Sequence, residues 1–304
     1  MPNWSEIYNE VRRSGHTTDS VRRKHLKKLA KLTGRNVITY YSGWLQKKKS
    51  LVGTALEFEI SDRDKNGFMS VINNMDRSKG LDLLLHTPGG DIAAVESLID
   101  FLRQMFGVNI RAIIPQMAMS AGSLIACACK EIVMGPQSNI GPFDPQYMGV
   151  PAQAILTEFK RAAHDIVANQ ATAYIWQPAM GPFSLGKISV VENIVSMADE
   201  LAKRVLVECM FVNDPSPSEL AENVVRELGS HAATALHSRH IHRAKAKAIG
   251  LKIVDLDEDK RLQDAVLSVH HATMITFDQA RAIKIIENHE GSAYILTPDM
   301  LIDL

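Results

Sequence analysis

Between Leu81 and Met134 three short apolar runs alternate with two segments of helical periodicity. This alternation limits the fold more than any other feature of the chain. Leu81 to Leu85 is apolar except for Asp82, Ile110 to Ile114 is apolar except for Arg111, and Glu131 to Met134 is strand-like. Near-continuous apolar runs of this length fit strands buried on both faces of a parallel sheet. Ile92 to Met105 repeats its apolar residues at helical spacing, and Ser120 or Ala121 opens a small-residue helix to Cys129. Strand, helix, strand, helix, strand makes two consecutive βαβ units, which close right-handed. The class is therefore α/β.

Around that block the patterning is more varied. A strand is expected at Asn36 to Tyr41, then a loop with Lys47, Lys48 and Lys49, then a helix capped by Ser61 and Asp62. After Gly135 comes a turn-rich loop, and from Pro151 to about Leu228 most segments read as helices, the longest being Val190 to Phe211. A helix at Ala244 to Ile249, a strand at Leu251 to Val254 and a helix at Gln263 to His271 follow. The expected division is a basic helical arm over 1–34, a domain over 35–275 and a weakly patterned tail over 276–304.

Charge adds a constraint. The 304 residues carry 34 basic and 34 acidic side chains, which excludes a wholly basic nucleic-acid binder. The first 50 residues nevertheless hold twelve Lys/Arg against three Asp/Glu. Such an arm is either a solvated face or a surface that seeks anionic lipid or an acidic partner; no specific nucleic acid is expected. Cys127, Cys129 and Cys209 are too few for a disulfide framework. No signal peptide or apolar span is evident, so a cytoplasmic protein, at most peripheral to a membrane, is expected.

Two strand-to-helix turns carry the chemistry. His86-Thr87-Pro88-Gly89-Gly90-Asp91 has two glycines that let a backbone approach closely, but neither GKS/GKT nor GxGxxG follows, so a phosphate loop is not matched. Ala118-Met119-Ser120-Ala121-Gly122-Ser123 places a serine among small residues without the full GxSxG; Ser120 and Ser123 are equal claimants to a helix-capping role. Side by side at the carboxyl edge of a sheet, the Gly89 and Gly90 amides would face Ser120 with the Ala121 amide on the same side. That is a nucleophile beside an oxyanion hole.

The strand–TPGG–helix–strand–SAG–helix–strand order, ending in Gly141-Pro142-Phe143-Asp144-Pro145-Gln146, resembles the Clp/crotonase fold of the Clp protease and signal peptide peptidase A. With EIVMG, His237-Ser238-Arg239-His240-Ile241 and Leu262 to Ala272, it is most similar to the serine dehydrogenase proteinase (SDH) family, over roughly residues 35 to 275. The resemblance implies a parallel sheet of ββα units with the basic N-terminal helical arm and helical C-terminal additions. It implies a serine endopeptidase that acts on peptides or proteins, with Ser120 as nucleophile, Gly89, Gly90 and Ala121 around the oxyanion hole, homo-oligomeric assembly and no cofactor. Two rivals stay open: a crotonase-like acyl-CoA enzyme using the same paired amides, and an inactive peptide-binding scaffold.

A serine hydroxyl also needs a base. No histidine stands near Phe143-Asp144-Pro145, where the Clp protease has its own, so a Ser-Lys device like that of signal peptide peptidase A is preferred. Lys187, in the low-charge stretch Phe183 to Ser189, is preferred over Lys160, which has charged neighbours. His237 and His240 are the competing bases, and Asp144 either orients a base or caps a turn. His237, His240 and His242 could also gather a metal, but no carboxylate or cysteine accompanies them at a familiar spacing, so none is expected. Peptide is expected to bind extended against a strand edge near Gly90 to Ala93.

Overall fold

In the computed structural model of the chain, the apolar runs become the inner strands of a seven-stranded sheet. The structure describes residues 2–13, 17–47, 55–181, 183, 185–230 and 236–298. Lys48 and Lys49 of the expected lysine loop lie outside the described residues, while Lys47 donates to the Ala280 carbonyl at 2.6 Å.

Five strands run parallel: β1 (Asn36–Ser42), β2 (Leu81–His86), β3 (Ile110–Ile114), β5 (Glu131–Met134) and β10 (Ile253–Asp255), in the spatial order β10-β5-β3-β2-β1. Short second strands follow two of them: β4 (Met117–Ala118) after β3, and β6 (Asn139–Ile140) after β5. These pair parallel with each other, β7 (Gln146–Tyr147) and β8 (Val150–Pro151) form a small antiparallel hairpin, and β9 (Ile241–His242) joins β6 antiparallel, completing a separate three-stranded sheet. A ββα unit is thus visible in β3, β4 and α5 (Ala121–Cys127). The molecule is mixed α/β with a mostly parallel central sheet.

Side chains alternate across the sheet as a two-residue period requires. Leu81, Leu83 and Leu85 enter a core with α3 (Asp62–Ile72), α4 (Ile92–Phe106) and α5. Leu84, with Val37 and Tyr41, enters the opposite core. Asp82, the exception noted in the strand, is fully buried and held by Arg35 Nε at 2.6 Å and by Arg111 Nε and Nη2 at 2.8 and 2.7 Å. Two guanidinium groups on one carboxylate are what makes its burial tolerable.

Helix ends follow local chemistry. Asp91 caps α4 by accepting from Ala94 N–H at 2.8 Å, and Asp64 at the third position of α3 takes the Ser61 N–H at 3.0 Å. α6 (Ala152–Ala168), α7 (Ala173–Met180), α8 (Leu185–Val205) and α9 (Pro217–Leu228) form the helical region. A π-turn at Leu206–Met210 carries α8 on to Phe211. α10 (Arg243–Ile249) precedes β10.

Two expectations about the chain ends need correction. Residues 276–304 do not form a weakly patterned tail as far as they are described. α11 runs Lys260–Gln279, and β11 (Lys284–Asn288) and β12 (Ala293–Leu296) complete the sheet antiparallel beside β1. β11 reads as poorly patterned because Lys284, Glu287 and Asn288 are polar, yet all three are buried and satisfied. The basic arm is likewise no appendage. α1 (Trp4–Arg13) and α2 (Thr18–Thr33) pack on α11, with Leu26 and Leu29 fully buried, worth about 1.5–3 kcal/mol each. Among the described residues no helix is long and apolar enough to cross a membrane.

Candidate active site

Ser120 stands at the turn between β4 and α5 with φ 51° and ψ −121°, a left-handed conformation that β-substituted residues rarely adopt. Its hydroxyl makes no capping bond. Ser123 is the structural serine: fully buried, it accepts from Gly141 N–H at 3.0 Å and its hydroxyl lies 2.8 Å from Gly141 O and 2.9 Å from Ala118 O. The turn is clamped from both sides. Met119 N–H donates to Thr87 O at 3.0 Å, and a Cβ on Gly141 would lie 3.1 Å from Ser120 N.

The Thr87 to Gly90 loop packs directly on this turn. Gly89 has φ 104°, and a Cβ there would stand 2.7 Å from Ser120 Cβ and 3.1 Å from Ala121 N. A Cβ on Gly90 would collide with Ile60 N at 2.2 Å, because Ile60 forms a parallel bridge to Gly90. That bridge uses Ile60 N–H to Gly89 O at 2.8 Å and Asp91 N–H to Ile60 O at 3.0 Å. One edge of the expected peptide-binding strand is therefore occupied by the chain itself. The pairing leaves Gly90 N–H on the opposite side, and neither it nor Ala121 N–H has a hydrogen-bond acceptor among the described residues.

β9 pairs with β6 through Ile140 and Ile241, and this brings the loop before β9 beside the segment after β6. His237 Nδ1 lies 2.9 Å from Asp144 Oδ1 although 93 residues separate them. Asp144 is fully buried, and its Oδ2 accepts from Gln146 Nε2 at 3.1 Å. In a neutral imidazole a carboxylate at Nδ1 favours the tautomer protonated there, with the lone pair on Nε2. Ser120, Gly89, Gly90, Ala121 and His237 all line one cleft of about 1160 Å³, whose walls include Leu124, Phe143, Ile194 and Leu236.

The remaining candidates lie elsewhere. Lys187 sits in the first turn of α8 with an exposed side chain, not in the apolar setting expected for it, and Lys160 is exposed on α6. Neither lines the cleft. His240 is exposed, and among the described residues no group of three His, Cys, Asp or Glu side chains gathers to hold a metal. Cys127 and Cys129 are buried; burial pushes the Cys127 thiol up to about 12 and raises Cys129 as well. Sequence spacing offered no route to the Asp144–His237 pair, nor to the part played by Glu59 to Ser61 against Gly90.

The sequence model of the ClpP-like SDH-type serine proteinases matches residues 9–183, more than half of the chain. That span holds Ser120, Gly89, Gly90, Ala121 and Asp144, and ends before Lys187 and His237. An uncharacterized protein of Methanocaldococcus jannaschii is 31% identical over 149 residues, 49% of this chain and 51% of the relative. A second uncharacterized protein of that organism is 26% identical over 208 residues, 68% of this chain and 63% of the relative. The matched regions thus span between half and two thirds of those relatives' own length. A match that covers both glycine- and serine-bearing turns, on a sheet that sets them against each other, means that the chain belongs to the ClpP-like SDH-type serine proteinase family.

Proposed function

We propose that the chain is a serine peptidase with a Ser120–His237–Asp144 relay. One observation carries this choice of base: His237, backed by the buried Asp144, lines the same cleft as a serine held in strained backbone without a capping role. Ser120 Oγ attacks the peptide carbonyl carbon, and its proton passes to His237 Nε2 while Asp144 holds the Nδ1 side. The Gly90 and Ala121 amides receive the oxyanion. Collapse breaks the C–N bond, the amine leaves with the proton from His237, and water then hydrolyses the acyl-enzyme by the same steps. Substrate lies extended along the open side of Gly90, with apolar side chains against Leu124, Phe143 and Ile194. Homo-oligomeric assembly belongs to the same proposal. The exposed Val167, Tyr174 and Ile175 of α6 and α7 are surfaces suited to it.

The test uses a fluorophosphonate probe and casein. The unaltered protein is expected to be labelled and to cleave, and Ser120→Ala to do neither. His237→Ala should lower kcat/KM by roughly 10⁴-fold or more, with Lys187→Ala within about twofold of the unaltered protein. Loss of activity in Lys187→Ala with retention in His237→Ala would return the base to lysine.

A further inference from the structure

Lys284 and Asp64 form an ion pair at the back of the oxyanion loop, and the proposed chemistry does not use it. Both side chains are almost fully buried, at 2% and 1% exposure. Lys284 Nζ donates to both carboxylate oxygens of Asp64 at 2.9 Å and to the Glu59 carbonyl at 2.7 Å. Asp64 Oδ2 also accepts from Tyr40 OH at 2.8 Å and from Ser61 N–H at 3.0 Å. Replacing a buried ion pair by apolar residues is often neutral or stabilising, so stability alone is a poor reason for one here.

What the pair holds is more informative. Glu59 and Ser61 flank Ile60, and Ile60 meets the loop through only two hydrogen bonds, to Gly89 O and from Asp91 N–H. Lys284 fixes the residue before Ile60 and Asp64 the residue after it. A second route reaches the loop from the other side. Thr87 is held by a parallel bridge to Ala118, and its hydroxyl accepts Gly89 N–H at 3.2 Å. Both routes converge on the peptide groups around Gly90.

We infer that Lys284, acting through Asp64, is a positioning residue that aims the Gly90 amide into the cleft. The inference rests on the peptidase proposal for its consequence in catalysis, but not for its structural content. A buried cation on β11 clamps the Glu59 to Ser61 segment, and that segment sets the register of the oxyanion loop. Misplacing a catalytic group by about 1 Å costs on the order of 10²-fold in rate.

The experiment compares the unaltered protein with the double variant Lys284→Met, Asp64→Asn, which leaves no unpaired buried charge. Hydrogen exchange at the Ile60 and Asp91 amides is expected to accelerate at least about tenfold. Fluorophosphonate labelling of Ser120 and kcat on a casein-derived fluorogenic peptide should each fall roughly tenfold or more, with KM within about twofold. A folded double variant with unchanged exchange at Ile60 and Asp91 overturns the inference. Should that variant not fold, Tyr40→Phe keeps the ion pair and removes the hydrogen bond from Tyr40 OH to Asp64 Oδ2 that helps hold the carboxylate on Ser61. Faster exchange at the Ile60 and Asp91 amides then supports the positioning role, and unchanged exchange overturns it. Absence of labelling in the unaltered protein would sink the peptidase proposal alone, with the exchange result still deciding this one.

Discussion

At Ser120 the left-handed backbone costs a residue with a Cβ about 1–3 kcal/mol, and the clamp by Thr87 and Gly141 holds it there. Glycine would adopt the same conformation without that cost. Ser120→Gly is therefore expected to unfold at higher denaturant than Ser120→Ala by about 1 kcal/mol, while both lack labelling. Equal stabilities of the two variants, measured by urea unfolding, would contradict strain at this position. The serine was legible in the sequence because small residues flank it at a strand-to-helix turn. The local residues alone left its capping role undivided from that of Ser123, and only the family resemblance singled out Ser120. The contacts of Ser123 with Gly141 and Ala118 give the physical reason: they engage its hydroxyl in the fold, while Ser120 is left facing the cleft.

At the scale of elements, the strand end of β2 and the middle of α11 meet in a buried histidine cluster. His86 stacks on Trp44 with ring centroids 4.3 Å apart, and His270 Nδ1 lies 3.3 Å from Tyr41 OH. Burial holds His86 well below the usual histidine range, with the neighbouring His270 adding to the effect. Burial also brings His270 down to about 3 and lowers His271. These histidines are neutral in the fold and take up protons more readily when unfolded. Their contribution to stability is thus complete above the ordinary histidine value near 6.5. It is lost as pH falls from there toward the folded values, down to about 3 for His270. Each histidine then costs about 1.4 kcal/mol per pH unit within its window. The urea midpoint should drop between pH 7 and pH 5, and a folded His270→Phe variant should show a shallower drop. An identical pH slope in that variant would exclude His270 as a contributor. None of this was readable from the sequence, where His86 belonged to a turn and His270 to a helix 184 positions away. The parallel pairing of β1 with β2 sets Tyr41 beside His86, and α11 supplies the rest.

Across the whole molecule, the local basic excess divides into two uses. Arg22 is fully buried and pairs with the fully buried Glu287 of β11, and Arg23 Nε donates to the same carboxylate at 2.7 Å. Lys24, Lys27, Lys28 and Lys31 keep an exposed face on α2, where Lys24 Nζ pairs with Glu10 at 2.7 Å. Arg22→Met alone should cost about 3–5 kcal/mol because it takes away the buried partner of Glu287. Arg22→Met with Glu287→Leu should recover most of that loss, as read by thermal unfolding. A single variant as stable as the unaltered protein would mean that Arg23 alone suffices for Glu287.

The inner parallel strands and both strand-to-helix turns followed from the sequence itself. Apolar periodicity and small-residue turns are local properties, and a sheet buried on both faces leaves a strong local imprint. Tertiary structure decided the pairing of Asp144 with His237, the bridge from Ile60 to Gly90 and the place of β11 in the sheet. Each joins residues far apart in the chain through hydrogen bonds that no spacing encodes. The polar residues of β11 read as surface until the structure sets Arg22, Arg23, Asp64 and the Val71 carbonyl against them. Burial of polar groups becomes acceptable only when partners from other elements arrive, and that arrival is a property of the fold.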